Sequence, residues 1–120
     1  MSKVLIVEDA PYIREVFHYA LELHKHVIVG EAANGAEAVE KYRMLKPEVV
    51  LMDLLMAVMD GISAIRKIIE LDPKAKIIVV SAIPKGSIRT EAMDAGAIDF
   101  VAKPFEIKRL LEAVSSASAA

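Results

Sequence analysis

The sequence predicts an α/β fold in which one parallel β-sheet is covered by helices on both faces. Five short apolar runs are candidate strands, at residues 3–7, 27–29, 49–52, 77–80 and 100–101, with Ile98 just ahead of the last. Segments with the apolar spacing of amphipathic helices separate these runs. Strands that are buried on both faces read as unbroken Val, Ile and Leu, because each side chain then meets a helix layer. The 55% hydrophobic content fits such a layered core. The alternation therefore indicates βαβ units with right-handed crossovers.

Capping and turn residues mark the helix starts. Pro11 suits the first turn of a helix. Asn34, with Glu37 three residues later, resembles a capping box and predicts the start of the second helix. The apolar stripe of the first helix comprises Ile13, Val16, Phe17, Ala20 and Leu21, and that of the third comprises Ile62, Ile65 and Ile69.

Proline, glycine and small residues mark the helix ends. Asp72 precedes Pro73, and a residue in that position avoids the α region, so the third helix is expected to stop there. Gly96 suits the left-handed position after the fourth helix. The fifth helix is expected to run out in the small-residue tail 115–120, after a stripe at Ile107, Leu110, Leu111 and Val114.

Composition limits the partners and the compartment. The 15 Lys and Arg against 17 Asp and Glu leave a net charge of −2. This balance gives no sign of the clustered positive charge with which proteins bind the phosphates of nucleic acid. The longest apolar runs, at 54–59 and 77–80, fall far short of the ~20 residues that cross a bilayer. The N-terminus lacks a signal peptide, and cysteine is absent. We expect one cytoplasmic, monomeric domain over residues 1–120, with no output domain and no nucleic-acid or membrane binding.

Polar side chains follow four of the five apolar runs. Glu8 and Asp9 follow the first run and Asp53 follows the third. Ser81 ends the fourth, and Lys103 lies just past the fifth. The carboxyl ends of parallel strands share one edge of the sheet, where ligands bind in open α/β folds. The sequence therefore predicts that these side chains converge.

These residue types suit phosphoryl chemistry. Three carboxylates brought together repel one another unless a cation joins them, and Mg²⁺ accepts carboxylates, waters and a phosphate oxygen. Lys103 can neutralise phosphoryl oxygens, and the Ser81 hydroxyl can donate a hydrogen bond to one. An ionised aspartate can itself be the attacking nucleophile. The pattern therefore indicates Mg²⁺-dependent phosphoryl transfer.

In this order, the residues resemble the receiver domain of two-component response regulators, from Lys3 to about Val114. The nearest type is the stand-alone, chemotaxis-type regulator. The resemblance implies a flavodoxin-like, doubly wound (βα)5 fold with five parallel strands in the order 2-1-3-4-5. It also implies a phosphorylation switch, catalysing only its own phosphorylation and dephosphorylation. A histidine kinase would be the phosphodonor, and the output would be binding to a target protein such as a motor component.

The resemblance assigns roles at the site. Asp53 would be the phosphoacceptor, and Glu8 and Asp9 would bind Mg²⁺ together with Asp53. The backbone carbonyl of Leu55 would be a further metal ligand. Lys103 would pair with the phosphoryl group.

The resemblance also assigns the residues of the switch. Ser81 would be the switch hydroxyl, and Phe100 the aromatic that turns inward on phosphorylation. The Lys103–Pro104 bond is expected to be cis. The target would bind the face formed by the fourth helix, fifth strand and fifth helix, where the basic residues are Lys85, Arg89, Lys108 and Arg109.

The chain departs from the family pattern in two places. Ala57 stands where the family usually has a proline, which should loosen the loop over the site. Leu55 and Ile83 are apolar at positions that are often polar. Two apolar side chains beside an acyl phosphate should hinder an attacking water, so we hypothesise slow self-dephosphorylation.

Each candidate also has a purely structural interpretation. Asp9 could cap the first helix, and Glu8 could be a solvated loop acid. Asp53 could form a buried salt bridge with Lys103. The three histidines, His18, His24 and His26, are better explained by the end of the first helix than by a metal cluster.

The same residues bear on four other functions. A phosphorelay carrier has the same residues. A phosphohydrolase with an aspartate nucleophile would need an acid at position 55, where the chain has Leu55. A nucleotide or flavin binder would need a phosphate-cradling loop, and the acidic Glu8-Asp9 would repel phosphate. A receiver that takes no phosphate would not need the five polar residues.

Overall fold

Strands and helices alternate through the computed structural model, which describes residues 2–54, 60–82 and 86–119. The strands are β1 (Lys3–Val7), β2 (Val27–Ala32), β3 (Val49–Met52), β4 (Ile77–Ser81) and β5 (Asp99–Ala102). The helices are α1 (Pro11–Leu23), α2 (Gly35–Leu45), α3 (Gly61–Leu71), α4 (Gly86–Ala95) and α5 (Ile107–Ala119).

The strands form one parallel sheet in the order β2-β1-β3-β4-β5. The chain therefore moves outward from β1 to β2, crosses back to β3, and then adds β4 and β5 on the other side. The predicted fold class and the strand order carried over from the family are both confirmed. The order reverses beside β1 and β3, and in such sheets the crevice outside the carboxyl ends at this point is the usual ligand site.

Each strand contributes to two apolar cores, one on each face of the sheet. In β1, Leu5 and Val7 belong to the core on the face covered by α2, α3 and α4, whereas Val4 and Ile6 belong to the core on the face covered by α1 and α5. Alternate side chains of a strand point to opposite faces, so both sets must be apolar when both faces are covered. This burial explains the unbroken runs of Val, Ile and Leu.

Helix boundaries follow the predicted signals at four places. Pro11 begins α1, and the Asn34 side chain caps α2 by accepting a hydrogen bond of 2.9 Å from the Glu37 N–H. The Glu37 carboxylate accepts from the Ala33 N–H, one residue earlier than a capping box requires. Helix α3 ends before Asp72, and Gly96 follows α4 with a φ of +129°.

Strand β2 ends at Ala32, three residues past the predicted run 27–29. Helix α5 ends at Ala119, within the tail 115–120 where it is expected to run out. It continues this far because Ala117 is buried and the Ser118 hydroxyl bonds the carbonyl of Val114 and the hydroxyl of Ser2. Strand β5 spans Asp99–Ala102 and so extends the predicted run 100–101 by one residue at each end, and just ahead of it the Ile98 N–H donates to the Ile77 carbonyl at 2.8 Å.

No helix in the described part of the chain is both long and apolar enough to cross a membrane.

Candidate functional site

The ends of β1, β3, β4 and β5 place the predicted site residues along one edge of the sheet. Backbone hydrogen bonds tie the segments together there, because the Asp53 N–H donates to the Val7 carbonyl at 3.0 Å and the Lys103 N–H donates to the Ser81 carbonyl at 2.8 Å. Rigid neighbouring strands therefore carry the polar side chains that follow them.

Three carboxylates form the centre of the site. One oxygen from each of Glu8, Asp9 and Asp53 lies within 4.8 Å of the others. Glu8 and Asp53 are buried, at 1% and 6% exposure, whereas Asp9 is exposed. Like charges this close repel one another, and burial strengthens that repulsion by removing water. The cluster therefore favours a bound cation.

Two structural interpretations of the acid pair are wrong. The cap of α1 is Ala10, with no capping side-chain hydrogen bond, so Asp9 is not a helix cap. Glu8 is not a solvated loop acid, since it is almost completely buried. Its Oε2 accepts from the Ala10 N–H at 3.2 Å.

Lys103 supplies positive charge to the cluster. Its Nζ lies 2.6 Å from Glu8 Oε1 and 3.9 Å from Asp53 Oδ1. The lysine therefore contacts both buried acids, and the shorter contact is with Glu8 rather than with Asp53. One ammonium cannot neutralise three carboxylates, so the remaining negative charge fits a divalent cation that brings its own waters.

Two features complete this edge. Ser81 is fully buried at the end of β4. The Lys103–Pro104 peptide bond is cis, as predicted.

Gly61 allows the start of α3 to approach Asp53 closely. A Cβ at this position would lie 2.4 Å from the carbonyl oxygen of Asp53 and 2.7 Å from the Cα of Leu54, both backbone atoms. The Gly61 N–H donates to the Leu54 carbonyl at 3.1 Å, and the Asp60 side chain caps the helix. The Asp-Gly pair at 60–61 thus supports the backbone behind Asp53.

Phe100 is buried between β5 and the helices on the α4 face of the sheet. It is 4% exposed, and the Arg89 guanidinium carbon lies 5.5 Å from its ring centroid. Arg109 donates to Asp99 at 3.0 Å and to the Phe100 carbonyl at 3.3 Å. Burial acts to raise the pKa of Asp99, but hydrogen bonds from Arg109 and from the Phe100 N–H outweigh it and hold that pKa below its usual range. The sequence predicts both arginines on a docking face, but no local pattern indicates these contacts with Asp99 and Phe100.

The histidines make separate contacts. His18 Nε2 lies 2.6 Å from Glu31, and His26 Nδ1 accepts from the Ser2 N–H at 3.1 Å. Burial, the nearby amino terminus and His24 lower the pKa of His26. Across residues 2–54, 60–82 and 86–119, the acid cluster at the sheet edge is the group able to hold a metal, and no histidine belongs to it.

Several predicted features lie outside the described residues. These are the carbonyl of Leu55, the loop around Ala57, and the side chains of Ile83 and Lys85.

A flavodoxin-like sheet with an acid cluster and a lysine at its switch point defines the class of receiver domains. The chain belongs to this family, since the model of the response regulator receiver domain matches residues 4–115. It is 47% identical over 117 residues to the chemotaxis protein CheY of Thermotoga maritima, covering 98% of each chain. It is 46% identical over 115 residues to protein CcdB of Bacillus subtilis, covering 96% of each.

Among solved structures, it resembles the CheX-CheY-BeF3-Mg²⁺ complex from Borrelia burgdorferi. The TM-score is 0.92 at 32% identity, with 95% of this chain and 87% of that chain covered. The chain is therefore a CheY-like response regulator receiver domain of two-component signalling, with homologues in chemotaxis. These homologues are signalling proteins.

Proposed function

We propose that this chain is a phosphorylation-activated switch in which Asp53 accepts a phosphoryl group from a phosphohistidine of a histidine kinase. An oxygen of the Asp53 carboxylate attacks phosphorus in line as the P–N bond breaks, and the bonding pair returns to the histidine nitrogen. The single observation that carries the proposal is the juxtaposition of Asp53 with two further carboxylates and Lys103.

Glu8, Asp9 and Asp53 would hold Mg²⁺, with the backbone carbonyl of Leu55 as a further ligand. The charge of the cluster supports this assignment, since Lys103 alone leaves it negative. When bound, Mg²⁺ would neutralise charge on the transferring phosphoryl group.

Lys103 and Ser81 would stabilise the product. The phosphoryl oxygens give Lys103 a new anionic partner beside Glu8, and the Ser81 hydroxyl can donate to one of them. Because Lys103 already lies 3.9 Å from Asp53, a small side-chain movement would bring it to the phosphoryl group.

The output would be a changed surface formed by α4, β5 and α5, with Phe100 as the switch aromatic. Movement of Ser81 toward the phosphoryl group would repack the core beside Phe100. A target protein would then recognise this surface, on which Arg89 and Arg109 lie. A motor component of chemotaxis is one such target, and the similarity to CheY proteins supports that setting.

We further propose that this receiver domain acts as a monomer in the cytoplasm, with no nucleic acid or membrane as partner. In this form it would catalyse only its own phosphorylation and dephosphorylation. The absence of an acid at position 55 supports this limit. Because Leu55 and Ile83 are apolar at positions that are often polar in the family, the acyl phosphate should decay slowly. The variants L55N and I83E should accelerate the decay of purified phosphoprotein, and unchanged decay would refute this hypothesis.

The main test is phosphorylation by acetyl phosphate with Mg²⁺, followed by intact mass. One base-labile phosphoryl group per chain is expected in the wild type and in D60N, where Asn can still cap α3. The group should be absent in D53N. Modification of D53N at the wild-type level would overturn the assignment, and multiple turnover of phosphodonor would indicate a phosphohydrolase. Transfer from the phosphorylated chain to a second histidine protein would indicate a phosphorelay carrier.

A further inference from the structure

We propose that Arg14 and Glu31 are positioning residues that brace the backbone of Glu8 and thereby set the Mg²⁺ affinity of the acid cluster. The inference rests on the proposed function, because it assumes that the cluster holds the metal. Neither residue touches the reacting atoms. Both act through the main chain at the end of β1.

The main chain of Glu8 is held by β2 in two ways. Its N–H donates to the carbonyl of Ala32 at 2.9 Å. Its carbonyl accepts from Arg14 Nη1 at 2.6 Å, and Nε of the same guanidinium lies 3.1 Å from Glu31 Oε1. Glu31 immediately precedes Ala32 in β2. Arg14 therefore links the carbonyl of Glu8 to the same strand that binds its N–H.

Glu31 is itself held from three sides. Its Oε1 contacts Arg14, its Oε2 lies 2.6 Å from His18 Nε2, and its backbone carbonyl accepts from Lys41 Nζ. Helices α1 and α2 thus both fix the residue that anchors Arg14. These contacts restrain the position of Glu31, although its side chain is 37% exposed.

The position of the Glu8 main chain affects two of the three carboxylates, because Glu8 and Asp9 are consecutive. A shift or rotation of the Glu8 peptide moves both carboxylates relative to Asp53, which lies on a different strand. Mg²⁺ requires near-octahedral geometry at short distances, so it tolerates little misplacement of its ligands. Groups that orient metal ligands from outside commonly change metal affinity by ~10- to 100-fold when removed.

The guanidinium geometry is essential to this arrangement. Arg14 uses two nitrogens of one planar fork for two acceptors, Glu8 and Glu31. A lysine keeps the charge but has one nitrogen on a flexible stem, so it cannot hold the same fixed bridge. R14K therefore tests geometry without changing the net charge near the cluster.

The experiment is a calorimetric titration of the full chain with MgCl₂. We expect R14K to raise the Mg²⁺ dissociation constant about tenfold. E31Q should also weaken binding. The double variant should bind no more weakly than R14K alone, because both changes break one connection. The matched controls are R43K and E40Q, which alter the exposed Arg43–Glu40 pair of α2 in the same chemical way. Both controls should bind as the wild type does.

Two readouts separate positioning from stability and from failure of the metal site. Melting in EDTA reports the stability of the metal-free fold. R14K that loses stability but keeps wild-type Mg²⁺ affinity would overturn the inference. D9N should lose Mg²⁺ binding. If D9N loses it and R14K binds normally, the inference alone fails, whereas normal binding by D9N would overturn the metal assignment and the inference together.

Discussion

Glu8 is buried to 1% exposure and its carboxylate pairs with Lys103 at 2.6 Å. A charge buried at this depth is tolerated only when a partner and hydrogen bonds replace water. Lys103 provides the partner, while the Ala10 N–H provides a further hydrogen bond. Without metal, the lysine therefore has a structural role beside the one proposed for it in phosphoryl transfer.

We predict that K103M destabilises the metal-free protein by about 3 kcal/mol, because it leaves Glu8 buried without its cation. Urea unfolding in EDTA measures the change. The double variant E8Q/K103M should regain part of the loss, since a neutral amide replaces the unpaired charge. The control K67M removes an exposed lysine of α3 and should have little effect. Equal stability of K103M and the wild type would contradict this account.

The Tyr42–Asp72 hydrogen bond should make the free energy of unfolding depend on pH. The Tyr42 hydroxyl donates to Asp72 at 2.7 Å and, with the Lys74 N–H, lowers the pKa of Asp72. Burial and this hydrogen bond raise the pKa of Tyr42. A carboxyl whose pKa is depressed in the folded state stabilises the fold above its unfolded value of about 3.9. That contribution is lost as pH falls through the depressed pKa.

We therefore predict that Y42F lowers the free energy of unfolding at neutral pH by about 1 kcal/mol. The difference from the wild type should shrink as the pH falls below about 4, because protonated Asp72 no longer favours the bond. Unfolding curves over the acid range measure this. The exposed Tyr19 provides the control Y19F. If the difference in free energy of unfolding between Y42F and the wild type stays constant with pH, the hydrogen bond to ionised Asp72 is not its cause.

At the scale of elements, the contacts around β5 connect α4 and α5 through Phe100. Arg89 reaches the ring from α4, and Arg109 reaches the Phe100 carbonyl from α5. Arg109 also forms a salt bridge with Asp99, the residue before Phe100 in β5. A change in the position of Phe100 would therefore disturb both helices, which is what the proposed output surface requires.

We predict that R89M loosens the packing of Phe100, because it removes a cation–π contact worth about 0.5–1 kcal/mol. Fluorophenylalanine NMR reports this directly. The Phe100 resonance should shift or broaden, whereas those of Phe17 and Phe105, stacked 5.7 Å apart on the other face, should not change. An unchanged Phe100 resonance would exclude Arg89 as a restraint on the ring.

For the whole molecule, the acid cluster should couple metal binding to stability. A ligand that binds the folded state alone stabilises it by mass action, by about 2.7 kcal/mol at 100 times its dissociation constant. We predict that Mg²⁺ raises the melting temperature and that EDTA reverses the rise. D9N should abolish the rise while stabilising the metal-free protein, because it removes one of three like charges. A melting temperature that Mg²⁺ does not change would argue against the metal site.

The sequence predicted the architecture because its signals are local or periodic. Unbroken apolar runs record burial on both faces, and Pro11, Asn34, Asp72 and Gly96 act on the backbone within a few residues. The exact end of α5 within the tail 115–120 does not follow from the sequence, because small residues carry no strong apolar signal even where one of them, Ala117, is buried. The strand order came from the family resemblance, since local patterns do not say which strands become neighbours.

Sequence patterns alone are enough to predict the fold class and to place five polar residues at the ends of apolar runs, namely Glu8, Asp9, Asp53, Ser81 and Lys103. Which of these charged side chains pair with one another depends on the folded chain. Lys103 contacts Glu8 across 95 positions of sequence, and Arg14 bridges Glu8 to Glu31. Such contacts depend on side-chain direction at distances of a few ångströms, which the register of the strands and the packing of the helices set and which no sequence periodicity encodes.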